Sequence, residues 1–368
     1  MRHPPTAWPW GRTTPAASAN PEQQLSGFRN YEKIFHTRVV EAGEAPSPLP
    51  SRPRDFNEMR YEVEGASFDL AGFTRHNHVA GLLVIEDGDV VLEQYELGNG
   101  PDTKWVSYSV AKSVVSMLMG AAIQDGYVSG VDAPVTDFLP VLRGSSYEGV
   151  TIRDALHMAS GVAWNEDYTD PGADVSLEIP LTMLERLEFL ASHPRVAPSG
   201  ERFNYNTGET NLIGAVIRAA IGNNLSTYLS AKIWRPFGME ADASWMLVEP
   251  DGAEHGGCCI SATLRDYGRI GLFALGGGVL PDAMRVLPAG WMEEATTPSP
   301  AFDGYGYLWW LGEGRSFRAS GIFGQAIHVD PDEGLVIVTH SVWPTPTGDD
   351  FAAHRAAFFA AVTAYLSN

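Results

Sequence analysis

Cysteine is nearly absent from this chain, which has only two in 368 residues, and those two are adjacent. A structural disulfide joins two separated points of the backbone, so Cys258 and Cys259 can close no loop between distant segments. We therefore predict that both act as small apolar side chains in the packing. The pair gives no indication of an oxidising compartment.

Basic residues are also scarce. The chain has 25 Lys and Arg against 45 Asp and Glu, a net charge of −20 at pH 7. Such a surface repels phosphate backbones and anionic lipids, so we expect neither nucleic acid nor a membrane as a partner. No run reaches the roughly 18 apolar residues of a membrane helix, and no basic segment followed by a long apolar run marks a signal peptide. The sequence predicts a cytoplasmic protein.

Three well-known catalytic motifs are missing as well. The chain has no Gly-x-Ser-x-Gly elbow, no His-Glu-x-x-His metal helix and no glycine-rich phosphate loop followed by lysine. We therefore expect no metal site, no nucleotide and no other cofactor.

The composition is that of a globular protein, with 44% hydrophobic and 19% charged residues. Two β-rich runs, 79–85 and 90–95, flank an Asp-Gly pair and predict a hairpin. Later strands are predicted at 305–311, 317–329 and 335–342, followed by a helix from about 350 to 366. This order predicts an α+β fold in which helices flank an antiparallel sheet and a mostly helical region is inserted.

The same patterns suggest three parts. Nine prolines in the first 60 residues predict an extended arm, which could be a free tail or could lie over the body. Residues 61–126 and 247–368 form the predicted sheet domain, and residues 127–246 form the helical region. A cleft between the last two parts is the expected place for a site.

The stretch from Ser109 to Lys112 is the first candidate for chemistry. An apolar, helix-forming run follows it and stops at Gly126. A spacing of three puts both side chains on one face of a first helical turn, where a buried amine can activate a serine nucleophile. A helix start with a serine cap and a solvated lysine would give the same residues, so the pair alone does not decide the function.

Residues elsewhere could complete such a site. Tyr205 follows a Pro-Ser-Gly turn and could relay a proton, because a nearby ammonium can lower the pKa of a tyrosine. Trp164 and Tyr168 lie in an acidic loop, where two aromatic side chains are expected only if they line a binding surface. His157 lies in an apolar turn and is predicted to be a core histidine.

The combination of these segments resembles the serine hydrolases of the class C beta-lactamase and penicillin-recognising superfamily. Within it, the chain is similar to the 6-aminohexanoate-dimer hydrolases and related carboxylesterases over about residues 78–343. The segments that carry the resemblance are 109–112, 151–161, 165–168, 198–207, 256–278, 321–330 and 341–344.

The resemblance implies roles for individual residues. It implies that Ser109 is the acylated nucleophile, Lys112 its base and Tyr205 the proton relay. It implies that the backbone N–H groups of Ile322 and Ser109 hold the oxyanion. It also implies that four side chains contact the substrate: Tyr168, Trp310, His255 and Phe323.

The chain departs from the family at several positions. Ser320-Gly321-Ile322-Phe323 stands in place of the Lys-Thr-Gly strand of beta-lactamases, and Arg318 could instead supply a cation for a substrate carboxylate. The Tyr-x-Asn or Tyr-x-Ser element of the family is here Tyr205-Asn206-Thr207, which keeps a hydroxyl on a β-branched side chain. Ile179 stands where an acid is expected for amine recognition, which argues against specificity for the 6-aminohexanoate dimer. The absence of the Lys-Thr-Gly strand favours an esterase or amidase over a beta-lactamase.

The predicted function is therefore hydrolysis of small esters or amides through an acyl-enzyme on Ser109. A beta-lactamase or D-amino-acid peptidase is the alternative with the same nucleophile. A ligand-binding homologue without turnover is the alternative of another class. The partner is a small-molecule substrate, and the oligomeric state, including a homo-oligomer, stays open.

Overall fold

The computed structural model of the chain describes residues 20–367, so the first nineteen residues of the predicted arm lie outside it. The strands are β1 Thr37–Val40, β2 Tyr61–Val63, β3 Ala66–Phe68, β4 Val79–Glu86, β5 Asp89–Tyr95, β6 Trp105–Val106, β7 Ala243–Met246, β8 Ile260–Ala262, β9 Trp310–Leu311, β10 Phe317–Gly321, β11 Gln325–Asp330 and β12 Leu335–Ser341.

The helices are α1 Pro21–Arg29, α2 Tyr31–Ile34, α3 Leu70–His76, α4 Val110–Gln124, α5 Val135–Phe138, α6 Ile152–Leu156, α7 Asp174–Leu177, α8 Met183–Ser192, α9 Thr207–Ile221, α10 Leu225–Leu229, α11 Arg235–Phe237, α12 Leu264–Leu275, α13 Trp291–Ala295 and α14 Asp349–Leu366. Within the described residues, none of these helices is long and apolar enough to cross a membrane.

A six-stranded antiparallel sheet with the order β5-β4-β12-β11-β10-β9 forms the centre of the fold. The predicted hairpin is its β4–β5 pair, and Asp87 and Gly88 both have the positive φ that a tight two-residue turn requires. Side chains alternate along β4 between two apolar clusters. Leu83 and Ile85 pack with α4 and α12, whereas Leu82 and Val84 pack with α14. The predicted α+β architecture is confirmed.

A second antiparallel sheet with the order β1-β7-β8-β6 lies beside the first. Its strand β7 falls at the end of the segment that was predicted to be helical. Its edge strand β1 comes from the N-terminal arm and pairs with β7 from Thr37 opposite Met246 to Val40 opposite Ala243. Residues 20–60 therefore run over the body, and buried Gln24 donates to the Trp343 carbonyl at 3.0 Å.

Two predicted strands are shorter than expected. The predicted strand 317–329 is split into β10 and β11 by a tight turn at 322–324, where Phe323 has a φ of 62°. The predicted strand 305–311 is reduced to the two residues of β9. Gly321 and Gly324 flank the first break, whereas aromatic and apolar residues continue through most of the second.

Candidate active site

Ser109 and Lys112 lie at the start of α4. Ser109 is the N-cap residue but makes no side-chain capping hydrogen bond, and Lys112 is only 1% exposed. The Lys112 Nζ lies 3.0 Å from the Ser109 Oγ. The alternative of a serine cap with a solvated lysine is therefore wrong.

Lys112 makes two further contacts that fix its orientation. Its Nζ lies 2.7 Å from the carbonyl oxygen of Gly257 and 3.0 Å from the Thr207 Oγ1. A Cβ on Gly257 would lie 2.6 Å from the Thr207 side chain, so only glycine lets this carbonyl approach. Burial lowers the pKa of Lys112 to about 8, with Glu166 and Glu178 acting in the opposite direction. A neutral amine is thus accessible near neutral pH.

Glu166 sets the direction of the hydrogen bonds around Lys112. Its carboxylate accepts from the Thr207 hydroxyl, and from the Thr207 backbone N–H at 3.0 Å. Because a carboxylate only accepts, the Thr207 hydroxyl donates to it and must accept from Lys112. The Gly257 carbonyl takes a second N–H. A neutral Lys112 then has only its lone pair left for Ser109, which is the arrangement of a general base.

Tyr205 lies beside this pair. Its ring centroid is 5.3 Å from the Lys112 Nζ. Burial, together with Glu166, raises the pKa of Tyr205, and the contact with Ser109 only partly opposes the shift. The expectation that an ammonium lowers this pKa is wrong, because burial is the larger effect. A neutral phenol suits a proton donor.

The end of β10 touches the start of α4. A Cβ on Gly321 would lie 2.4 Å from the Ser107 carbonyl oxygen and 3.2 Å from the Ser109 backbone nitrogen, so the approach requires glycine. Ile322 follows and lines the same cavity as Ser109. Both residues stand at the start of a helical turn, where N–H groups have no intrahelical partner. Two N–H donors of this kind beside one hydroxyl are what an oxyanion hole needs.

A cavity of about 110 Å³ opens next to Ser109. Its aromatic walls are Tyr31, Tyr108 and Tyr168, and its aliphatic walls include Val175, Ile179 and Met246. Tyr31 comes from the N-terminal arm, and its hydroxyl lies 3.4 Å from the Met246 Sδ. Sequence patterns do not reveal Tyr31 as a wall of the cavity, because its contact with Met246 joins residues more than two hundred positions apart.

A buried polar network closes one side of the cavity. Arg186 lies 3.4 Å from the Glu178 carboxylate and is also held by the carbonyls of Ile179 and Leu181. Its Nη1 lies 3.0 Å from the His255 Nε2. Since arginine only donates, Nε2 accepts and the ring proton of neutral His255 sits on Nδ1. That Nδ1 is buried without a partner among the described residues, and burial holds the pKa of His255 well below its ordinary value.

The four residues implied to contact substrate are placed differently. Tyr168 and His255 line the cavity. The Trp310 ring stacks on the Tyr205 ring with centroids 5.6 Å apart and so packs against the phenol. Phe323 does not fit its implied role, because its left-handed backbone turns the ring into a fully buried cluster with Phe28 and Tyr108.

Three further expectations can be compared with the structure. Arg318 lies opposite His328 in the β10–β11 pair, and the His328 ring packs on Phe359 of α14, so Arg318 faces away from Ser109 and offers no cation to the cavity. Cys258 and Cys259 both pack in the apolar cluster around Phe28 and Trp105, as predicted, and their sulfurs are joined as a disulfide between neighbours, with Cys258 at the cavity wall. His157 is buried as predicted, and burial lowers its pKa to about 4.

Sequence reasoning missed Glu166, Gly257 and Arg186 as members of the site. Glu166 lies in the acidic loop whose aromatic side chains were expected to line a binding surface, so the sequence indicated the loop but not this residue. Within the described residues, the cluster of His76, Asp350 and His354 has the spacing of metal ligands, and it lies on α3 and α14, away from α4.

Comparisons with known proteins agree with this geometry. A profile of the beta-lactamase family matches residues 67–362. The 6-aminohexanoate-dimer hydrolase of Paenarthrobacter ureafaciens is 31% identical over 288 residues, which cover 72% of each chain. Esterase EstB of Burkholderia gladioli is 28% identical over 41% of this chain and 40% of its own.

A solved structure shares the fold over nearly the whole chain. It is a Bacillus anthracis protein provisionally named a 6-aminohexanoate-dimer hydrolase, with a TM-score of 0.85 at 19% identity and 99% coverage of both chains. The family profile spans well over half of this sequence, and the relatives named above are hydrolases and esterases. The chain is a serine hydrolase that belongs to the beta-lactamase family.

Proposed function

We propose that the enzyme cleaves small, uncharged esters or amides through an acyl-enzyme on Ser109. The observation that carries the proposal is the placement of Lys112. Its two other contacts, Thr207 and Gly257, leave a neutral amine with one lone pair directed at the Ser109 hydroxyl. The relatives named 6-aminohexanoate-dimer hydrolase and esterase EstB support the reaction class.

The proposed reaction has two halves. Lys112 takes the proton of Ser109 as Oγ attacks the carbonyl carbon, and the backbone N–H groups of Ser109 and Ile322 hold the oxyanion. Tyr205 gives its phenol proton to the leaving nitrogen or oxygen, and Lys112 then returns its proton to the phenolate. A water molecule next attacks the acyl carbon and gives its proton to Lys112. The Ser109 oxygen leaves, regains that proton, and the acid is released.

The cavity supports an uncharged substrate. Its two charged side chains, Glu178 and Arg186, are paired with each other, and Ile179 adds no charge where a substrate amine would need one. Tyr31, Val175 and Met246 offer apolar contact to a compact group. The His255 Nδ1–H is the unpaired donor that can orient a substrate oxygen.

A substrate panel tests this proposal. We expect turnover of p-nitrophenyl esters with short acyl chains, weaker turnover of the linear 6-aminohexanoate dimer because Ile179 cannot pair with its ammonium, and none with Ser109→Ala. A purified chain that hydrolyses neither would contradict the proposal. Turnover of a chromogenic cephalosporin at a rate comparable with the esters would instead favour the beta-lactamase alternative.

A further inference from the structure

A cluster of metal-ligand type lies on the face of the central sheet opposite to Ser109. His76 is the last residue of α3, and Asp350 and His354 lie one turn apart on α14. One donor atom from each lies within 4.8 Å of the other two. The two helices are held together nearby by Phe73 and Phe358, whose rings stack 3.8 Å apart. The backbone that presents the three donors is therefore well packed.

The distances within the cluster are close to those that one ion imposes. Ligands about 2.1 Å from a tetrahedral ion lie roughly 3.4 Å apart. The His76 Nε2 lies 2.8 Å from one Asp350 oxygen, and the His354 Nε2 lies 3.8 Å from the other, which is too far for a hydrogen bond.

The orientation of His354 suits a metal ligand. Its Nδ1 lies 2.9 Å from the Tyr61 hydroxyl, and its ring packs against Phe68 at 4.7 Å. When Nδ1 carries the proton and donates it to Tyr61, the lone pair of Nε2 is free on the side of Asp350. Metal-binding histidines are usually fixed in this way by a hydrogen bond on the second nitrogen.

The His76 ring, at the end of α3, stacks on the His354 ring with centroids 3.8 Å apart, so it would turn out of this stack for both Nε2 lone pairs to point at one ion. Asp350 is 65% exposed, which leaves room for water to complete the coordination of an ion.

We propose that His76, Asp350 and His354 form a binding site for a divalent cation of the zinc type. Two imidazoles and one carboxylate are a donor set that suits Zn²⁺ and its neighbours better than Ca²⁺ or Mg²⁺. The ion ties the end of α3 to the start of α14. It takes no part in the hydrolysis, because the sheet separates it from α4.

Metal titration of the untagged full-length enzyme tests the site. After dialysis against a chelator and then against chelator-free buffer, we expect calorimetry with ZnCl₂ to show one saturable site per chain. Co²⁺ should give the visible absorption of a low-symmetry site, and the melting temperature should rise with Zn²⁺ concentration. Asp350→Asn and His76→Asn should each weaken Zn²⁺ binding at least tenfold.

Matched variants separate this site from general metal binding. The pair of His193 and Asp174, with a nitrogen to oxygen distance of 3.0 Å, offers a histidine and a carboxylate without the third ligand, so His193→Asn should leave the titration unchanged. Asp350 is exposed, so Asp350→Asn should fold and keep full ester hydrolysis. Absence of saturable binding, or equal binding by the wild type and Asp350→Asn, would overturn the proposal.

Discussion

The pKa of Lys112 predicts how the reaction depends on pH. A neutral amine is needed to take the Ser109 proton, and burial lowers the pKa of Lys112 to about 8. The neutral fraction is then about 1% at pH 6 and about half at pH 8, so kcat/KM should rise about fiftyfold between them. A lysine with the ordinary pKa of 10.5 would be only about 0.3% neutral at pH 8.

The assay is initial-rate hydrolysis of a short p-nitrophenyl ester from pH 5.5 to 9.5, with the product measured at a wavelength insensitive to pH. Glu166→Gln should move the midpoint of the pH profile to lower pH, because the Glu166 carboxylate raises the pKa of Lys112 more than any other group does. Glu201→Gln, an exposed carboxylate before Tyr205, is the control and should not move it. A flat profile, or a midpoint unchanged in Glu166→Gln, would refute the role of Lys112.

Three other outcomes follow from the same geometry. Because the pKa of Lys112 is lowered in the folded state, burial of its protonated form reduces the stability of the fold. This destabilisation has its full size below pH 8 and becomes smaller as the pH rises to 10.5. In urea unfolding, the free energy of unfolding of Lys112→Met minus that of the wild type should therefore fall by about 3 kcal/mol between pH 7 and pH 10.5. A difference that does not change with pH would contradict this. Tyr205→Phe should reduce kcat/KM for amides and alkyl esters about a hundredfold. The loss should be much smaller for p-nitrophenyl esters, because their leaving group needs no proton. Equal losses for both kinds of substrate would argue against Tyr205 as the proton donor. Tyr31→Ala should shift the preferred acyl chain to greater length by widening the cavity, whereas a uniform loss at every length would indicate only a structural role.

Local patterns in the sequence were sufficient for several parts of the structure. The Asp-Gly hairpin and the helix after Ser109 depend on neighbours in the chain, and both were predicted. The spacing of Ser109 and Lys112 placed the two side chains on one helical turn for the same reason.

Other parts depend on contacts between distant segments. Tyr31 reaches the cavity only because β1 pairs with β7, some two hundred residues later. The pKa of Tyr205 is set by burial, which no short motif reports. Phe323 was misplaced because its position depends on a backbone turn with positive φ at a bulky residue, which sequence patterns do not predict.

The central claim is that Ser109 is a nucleophile activated by Lys112. Incubation of the wild type with a fluorophosphonate, followed by intact-mass analysis, tests it most directly. We predict a single adduct on the wild type, none on Ser109→Ala, and strongly slowed labelling of Lys112→Met. An unlabelled wild type, or an adduct that persists in Ser109→Ala, would contradict the account.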